Sequence, residues 1–225
     1  MTSAILQSGS AEADWHLIFP LSREAPQSLP QRTKQEFGAH EVEHFCTFHS
    51  VKTIKAVPAN NLAIRDALIH LTLDHTVVAI DYFEEIVSGN VRIRADSIFA
   101  RNASGRHLLE ILPSKRPTQQ VIEVTQGMGI RRWTMTDAEI AAEPRHGNER
   151  EIWRHAGRTV PVHMRMQILA ELRKRGAVGM DELLASLVGF SSNREAILAL
   201  ACAGIVRIDL NAGPLGPRTL VSYGD

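Results

Sequence analysis

Residues 90–112 read "NVRIRADSIFARNASGRHLLEIL", and this stretch decides the fold. "NVRIRADSIFA" and "RHLLEIL" are rich in β-branched and apolar residues. "RNASG" between them has the Asn-Ser-Gly character that a hairpin loop needs. The stretch predicts a β-hairpin with one acidic side chain on each arm, Asp96 and Glu110. On the residues alone, such acids read as a solvated edge, or as ion pairs with Arg92, Arg94 or Arg106, rather than as a site.

Upstream, "TVVAIDYF" predicts a strand. Before it, Asn60 and Asn61 can cap a helix through "LAIRDALIHLTL", where Leu62, Ile64, Leu68, Ile69 and Leu71 form a broad apolar face. "HFCTFHSVKTIKAV" predicts a strand or two. Residues 1–36, with "PLSREAPQSLPQRTKQ", keep no period and read as an N-terminal arm, with a short ordered piece around "WHLIF". Downstream, "PTQQVIEVTQGM" predicts a short helix, "IRRWTMT" a strand, and "TDAEI" a helix capped by Thr136.

"AAEPRHGNER", residues 141–150, is polar and holds both Pro and Gly, so it reads as a linker. After it, "HMRMQILAELRKRG", "GMDELLASLVG" and "SSNREAILALACAG" predict three helices. "IVRIDL" and "RTLVSY" predict two strands joined by "NAGPLGP". Three helices and a hairpin in this order suggest a winged helix, a pattern shared with small helical interaction domains. The expected organisation is an arm at 1–36, an α/β domain at 37–145, and a winged-helix-like α+β domain at 146–225.

The chain has 225 residues, 44% hydrophobic and 22% charged, enough for a real core. Its 25 basic and 25 acidic residues cancel, which excludes a uniformly basic binder but not local patches. The longest apolar runs are about half of a membrane span. The N-terminus lacks the pattern of a signal peptide, and Cys46 and Cys202 form no disulfide framework. The expectation is a protein of the bacterial cytoplasm with no membrane partner.

His40-Glu41-Val42-Glu43-His44 satisfies H-E-x-x-H, with Cys46 and His49 nearby. Zincin chemistry needs both histidines on one helix face, but the following "FCTFHSVKTIKAV" looks extended. On a strand, His40 and His44 share a face at a spacing too long for one tetrahedral ion. Thr47 and Ser50 stand where the extended form of the motif wants glycine and histidine. The match reads as accidental.

The chain resembles the endonuclease subunit of heteromeric transposases, the TnsA-like family, most informatively from Phe48 to Arg116 and in all over roughly residues 45–225. The resemblance rests on Ser50–Thr53, on the helix start Asn60–Asp66, on Asp74–Val78 and on Tyr82–Ile86. It continues through Ala95-Asp96-Ser97 in place of "PDF" and Glu110-Ile111-Leu112 in place of "E-V-K", and recurs at Met135–Ile140. It implies a restriction-endonuclease-like PD-(D/E)xK fold, a winged-helix tail, and DNA and transposase or transposition-regulator proteins as partners. Asp96 and Glu110 would then hold Mg²⁺ or Mn²⁺ and activate water, helped by a lysine two residues past the second acid.

The chain departs from that pattern at its centre. Ile64 occupies the place of the helix glutamate and Leu112 that of the lysine. Lys115 or Arg116 are candidates to replace the lysine, and Asp66 or Glu84 the glutamate, although Asp66 projects roughly 200° around the helix from Ile64. The expectation is a relict site that binds metal weakly in a protein retained for binding DNA or partners. An active metal-dependent endonuclease using Lys115 is the alternative, and a winged-helix DNA-binding regulator the second. A homodimer is compatible with each.

Residues 92–132 hold eight basic side chains against Asp96, Glu110 and Glu123, a plausible phosphate footprint. Arg92, Arg94, Arg131 and Arg132 are the expected contacts there. In the C-terminal part, Asn193 and Arg194 open the helix expected to meet base edges, and Arg218 lies on the expected wing. "LRKRG" places Arg173, Lys174 and Arg175 at a helix end, where cations also complement the helix dipole.

Overall fold

Asn61 opens the first helix as the sequence predicts. Its side chain accepts a hydrogen bond from the Ile64 backbone N–H at 2.9 Å, satisfying one of the orphan donors of helix α1, Leu62–Leu73. The computed structural model describes residues 46–187 and 193–224. Before α1, the short strands β1 (Cys46–Phe48) and β2 (Val57–Ala59) pair antiparallel.

Three strands follow α1 as a meander: β3 (Val77–Ser88), β4 (Val91–Asn102) and β5 (Gly105–Leu112). The predicted hairpin is β4–β5, closed by Ala103 and Ser104, with Arg101 facing Arg106. Helix α2 (Gln119–Gly127) then crosses over, and β6 (Arg131–Thr136) returns parallel to β5. The sheet order is β3-β4-β5-β6. Strand alternation gives it two buried faces. Ile80, Ile98, Ala100, Leu109, Ile111 and Met135 pack under α1. Phe99 and Leu108 pack with Val121 of α2 on the other side. Helix α3 (Asp137–Ile140) begins with a capping box in which Thr136 and Glu139 satisfy each other's backbone donors.

The expected linker is a helix. Residues 141–150 run into α4, Arg145–Trp153, so the boundary expected between 145 and 146 falls at its first turn. Such a hydrophilic helix holds because tertiary partners satisfy its buried polar groups. Glu149 is 1% exposed and lies 2.6 Å from Arg145 and 3.1 Å from His70 of α1. His146 lies 3.2 Å from Asp66, also on α1. Asn148, 3% exposed, donates to the Leu210 and Gly213 carbonyls and accepts from the Leu215 N–H.

The C-terminal part consists of α5 (Val162–Arg175), β7 (Val178–Gly179), α6 (Met180–Ser186), α7 (Asn193–Cys202), β8 (Val206–Ile208) and β9 (Leu220–Tyr223). Its sheet order is β7-β9-β8. Gly176 ends α5 at φ 77, a conformation that a side chain would strain. The two cores meet at α4. Trp153 stacks on Phe48 at 5.0 Å, and both Trp153 and Leu73 pack against both cores. The whole is a mixed α/β architecture, and no helix among the described residues is long and apolar enough to cross a membrane.

Candidate metal and nucleic-acid site

Asp96 sits where the β3–β4 pairing slips. Phe83 faces Ser97 but Glu85 faces Arg94, so β4 carries one extra residue. Asp96 takes a φ of 38°, the one positive value among the described non-glycine residues, and aspartate is among the types that tolerate it best. Its carboxylate accepts from the Tyr82 hydroxyl at 2.6 Å and from Lys115 at 3.3 Å. Burial alone would raise the carboxyl pKa. The Tyr82 and Lys115 interactions outweigh it and hold Asp96 below the usual carboxylate range. Burial and the bond to Asp96 together push the Tyr82 hydroxyl up.

Glu110 has different company. It accepts from Thr134 at 3.1 Å and lies 3.5 Å from Arg116 and 3.9 Å from Arg132. Its neighbours in β5, Leu109 and Ile111, face α1, so Glu110 points with Leu108 to the α2 side. Thr134 agrees, because Trp133 and Met135 on either side of it face α1. Tyr82 packs on the α1 side and holds Asp96 there. By these contacts the two acids expected to share one ion lie on opposite faces of the sheet.

Ile64, which stands in place of the helix glutamate, is buried in the core. Of the two candidates to replace that glutamate, Asp66 is engaged by His146 and Glu84 is exposed on β3. Lys115 does reach Asp96, as a relocated lysine would. Among the described residues, no group of three or more His, Cys, Asp or Glu side chains is placed to hold a metal ion. Residues 40–44, with the H-E-x-x-H match, lie outside the described residues; Cys46 is in β1 and His49 is exposed beyond it.

The expected basic patch divides. Arg92 and Arg94 are exposed near the β3–β4 turn, with Arg92 3.6 Å from Glu85. Arg131 starts β6 beside His107, at the β4–β5 turn, and donates to the Ser104 carbonyl. Seven residues of β4 separate Arg94 from that end, roughly 23 Å of strand. Arg131 and Arg132 also point to opposite faces, as neighbours on a strand must.

In the C-terminal part the expected DNA-reading helix is not free to read. Residues Ala196 to Cys202 of α7 are all buried, and none of its residues is exposed. Arg194 forms a 2.6 Å ion pair with Glu151 of α4, and Asn193 donates to the Leu187 carbonyl. Both side chains are thus engaged within the fold. Arg218 is exposed on the loop before β9, as a wing contact requires. Arg173 packs on Tyr223 and Arg175 pairs with Glu182 at 2.6 Å, so "LRKRG" is committed at least in part to its own fold.

Sequence reasoning missed Tyr82 as the partner of Asp96, since only the bulge brings them together. It also missed α4, whose polar sequence carries no helical period of apolar residues. No protein-family model matches the chain, and no curated protein matches it.

Proposed function

We propose that the chain is a TnsA-like protein whose restriction-endonuclease-like fold is kept as a scaffold for binding DNA or transposition partners, and whose nuclease site is dismantled. The observation that carries this reading is the separation of Asp96 and Glu110 onto opposite faces of a sheet built as helix, three-strand meander, crossover helix and parallel strand. A divalent ion needs oxygen ligands converging within about 2.6 Å of it. A lone Asp96, already occupied by Tyr82 and Lys115, offers one. The order of the C-terminal elements and the sheet order β7-β9-β8 support the winged-helix reading. With its third helix buried against α4, the C-terminal part serves as a docking module more naturally than as a base reader.

The contact of Lys115 with Asp96 favours a second reading, an active Mg²⁺-dependent endonuclease with a relocated lysine. Calorimetric titration of Mn²⁺ into the wild type and Asp96→Ala separates the two. The scaffold reading expects no Asp96-dependent binding, together with salt-sensitive duplex DNA retention that weakens in the Arg131→Gln/Arg132→Gln variant. Stoichiometric Mn²⁺ binding lost in Asp96→Ala overturns it in favour of the nuclease. Silence in both assays leaves partner docking as the scaffold's role.

A further inference from the structure

The loop 113–118, between β5 and α2, sends two consecutive basic side chains to different acids. Lys115 reaches Asp96, and Arg116 lies with its Nε 3.5 Å from Oε1 of Glu110. Arg132 approaches the same carboxylate from β6, its Nη1 3.9 Å from Oε2. The Thr134 hydroxyl donates to Oε2 as well, at 3.1 Å. One carboxylate thus gathers two guanidinium groups from separate elements.

Exposure separates that carboxylate from its partners. Glu110 is 7% exposed, whereas the side chains of Arg116 and Arg132 are 68% and 54% exposed. A carboxylate so far out of water needs its counter-charges close. It therefore restrains two arginines that would otherwise sample open solvent. Contacts of 3.5 and 3.9 Å are ion pairs longer than a good hydrogen bond, and a guanidinium carries five N–H donors. Each fork keeps donors to spend outward. Two guanidiniums against one carboxylate also leave a net positive charge at this surface.

We propose that Arg116 and Arg132, held over the buried Glu110 carboxylate, grip the phosphodiester backbone of duplex DNA without reading its sequence. The planar fork of a guanidinium matches two phosphate oxygens at once. Ordering a long side chain at the moment of binding costs affinity, and Glu110 has already ordered both. Phosphates repeat unchanged along the duplex, so the contact carries no base preference of its own. Glu110 is here a positioning residue, an acid kept beside a polyanion because it holds the cations in place. The inference rests on the scaffold reading, in that the fold binds DNA, and gives Glu110 a use that needs no metal.

The test measures anisotropy of two labelled duplexes of unrelated sequence with the full chain, over a series of salt concentrations. Unfolding midpoints show that each variant folds. Arg116→Gln and Arg132→Gln are each expected to bind both duplexes about tenfold more weakly, and to lower the slope of log affinity against log salt by about one. Arg175→Gln, which takes an arginine from its pair with Glu182, should bind as the wild type does. Glu110→Gln decides the mechanism. Bare electrostatics expects the loss of a negative charge to tighten binding, whereas a positioning role expects binding about threefold weaker or worse. As a second readout, the Arg116 and Arg132 Nε–H resonances should shift when duplex is added to the wild type, and should exchange faster with water in free Glu110→Gln. Equal or tighter binding by Glu110→Gln overturns the proposal while the DNA reading stands. So do equal losses in the Arg116 and Arg175 variants, or a loss confined to one duplex. A wild type that retains neither duplex at low salt overturns the proposal together with the DNA-binding half of the scaffold reading.

Discussion

Arg194, in the first turn of α7, forms a 2.6 Å ion pair with Glu151 of α4. The side chain that a DNA-reading helix would present to a groove is instead spent on the junction between the two cores. Arg194→Gln is therefore expected to leave duplex DNA affinity unchanged while lowering stability by about 0.5–1 kcal/mol, because both partners are partly exposed. Anisotropy titrations and urea unfolding of the same preparation check both halves of this prediction. A large loss of DNA affinity without loss of stability would return α7 to the nucleic-acid interface.

Asn148 carries more of the junction. Its side chain satisfies two carbonyls and one N–H of the loop 210–215 from a nearly sealed position. Asn148→Ala leaves the buried Leu210 carbonyl without this partner and is expected to cost about 2–4 kcal/mol. Hydrogen exchange should show the Leu215 amide losing protection more than the β4 and β5 amides. Equal loss at all three would mean that the asparagine supports the whole fold rather than the loop.

The hairpin at the centre of the sheet was legible because its signals are local, β-branched arms and a short turn with Asn, Ser and Gly, and the starts of α1 and α3 were legible from their caps, Asn61 and Thr136. The run "AILALACAG" likewise announced a helix buried on every side. Helix α4 was not legible, because "RHGNEREIW" is helical through Glu149, Asn148 and His146 meeting partners 60 to 80 residues away in sequence. The facing of Glu110 was hidden for a different reason. Leu108 and Leu109, with Ile111, make β5 apolar on both sides, so alternation alone cannot say which side belongs to α1. The bulge that turns Asp96 toward Tyr82 has no signature in the residues around it.

At Asp96 the backbone and the carboxylate can be separated by substitution. With φ at 38°, a β-carbon is strained, and glycine relieves that strain while losing the bonds to Tyr82 and Lys115. Asp96→Gly is expected to be more stable than Asp96→Ala by about 1 kcal/mol. Asp96→Asn keeps an acceptor for Tyr82 and should lie closest to wild type. Chemical denaturation midpoints rank the three. If Asp96→Ala equals or exceeds Asp96→Gly, the bulge relaxes on substitution and the strain is not fixed by the surrounding sheet.

Lys52 makes the stability of the fold depend on alkaline pH in an unusual direction. Burial, opposed by Asp74 and aided by Arg207, lowers its pKa from 10.5 to about 8. Between those values the unfolded chain binds the proton more than the folded one, so stability rises with pH. Below pH 8 the charged, partly buried ammonium exacts its full penalty, and above about 10.5 the contribution is constant. After discounting for its remaining exposure, the gain is expected to be on the order of 1 kcal/mol. Lys52→Met removes the titrating group, so the difference in unfolding free energy between wild type and variant should change across pH 8 to 10.5 in phosphate-free buffer and stay flat below it. A difference that stays flat throughout would place the Lys52 ammonium in water, where neither Arg207 nor burial can depress it.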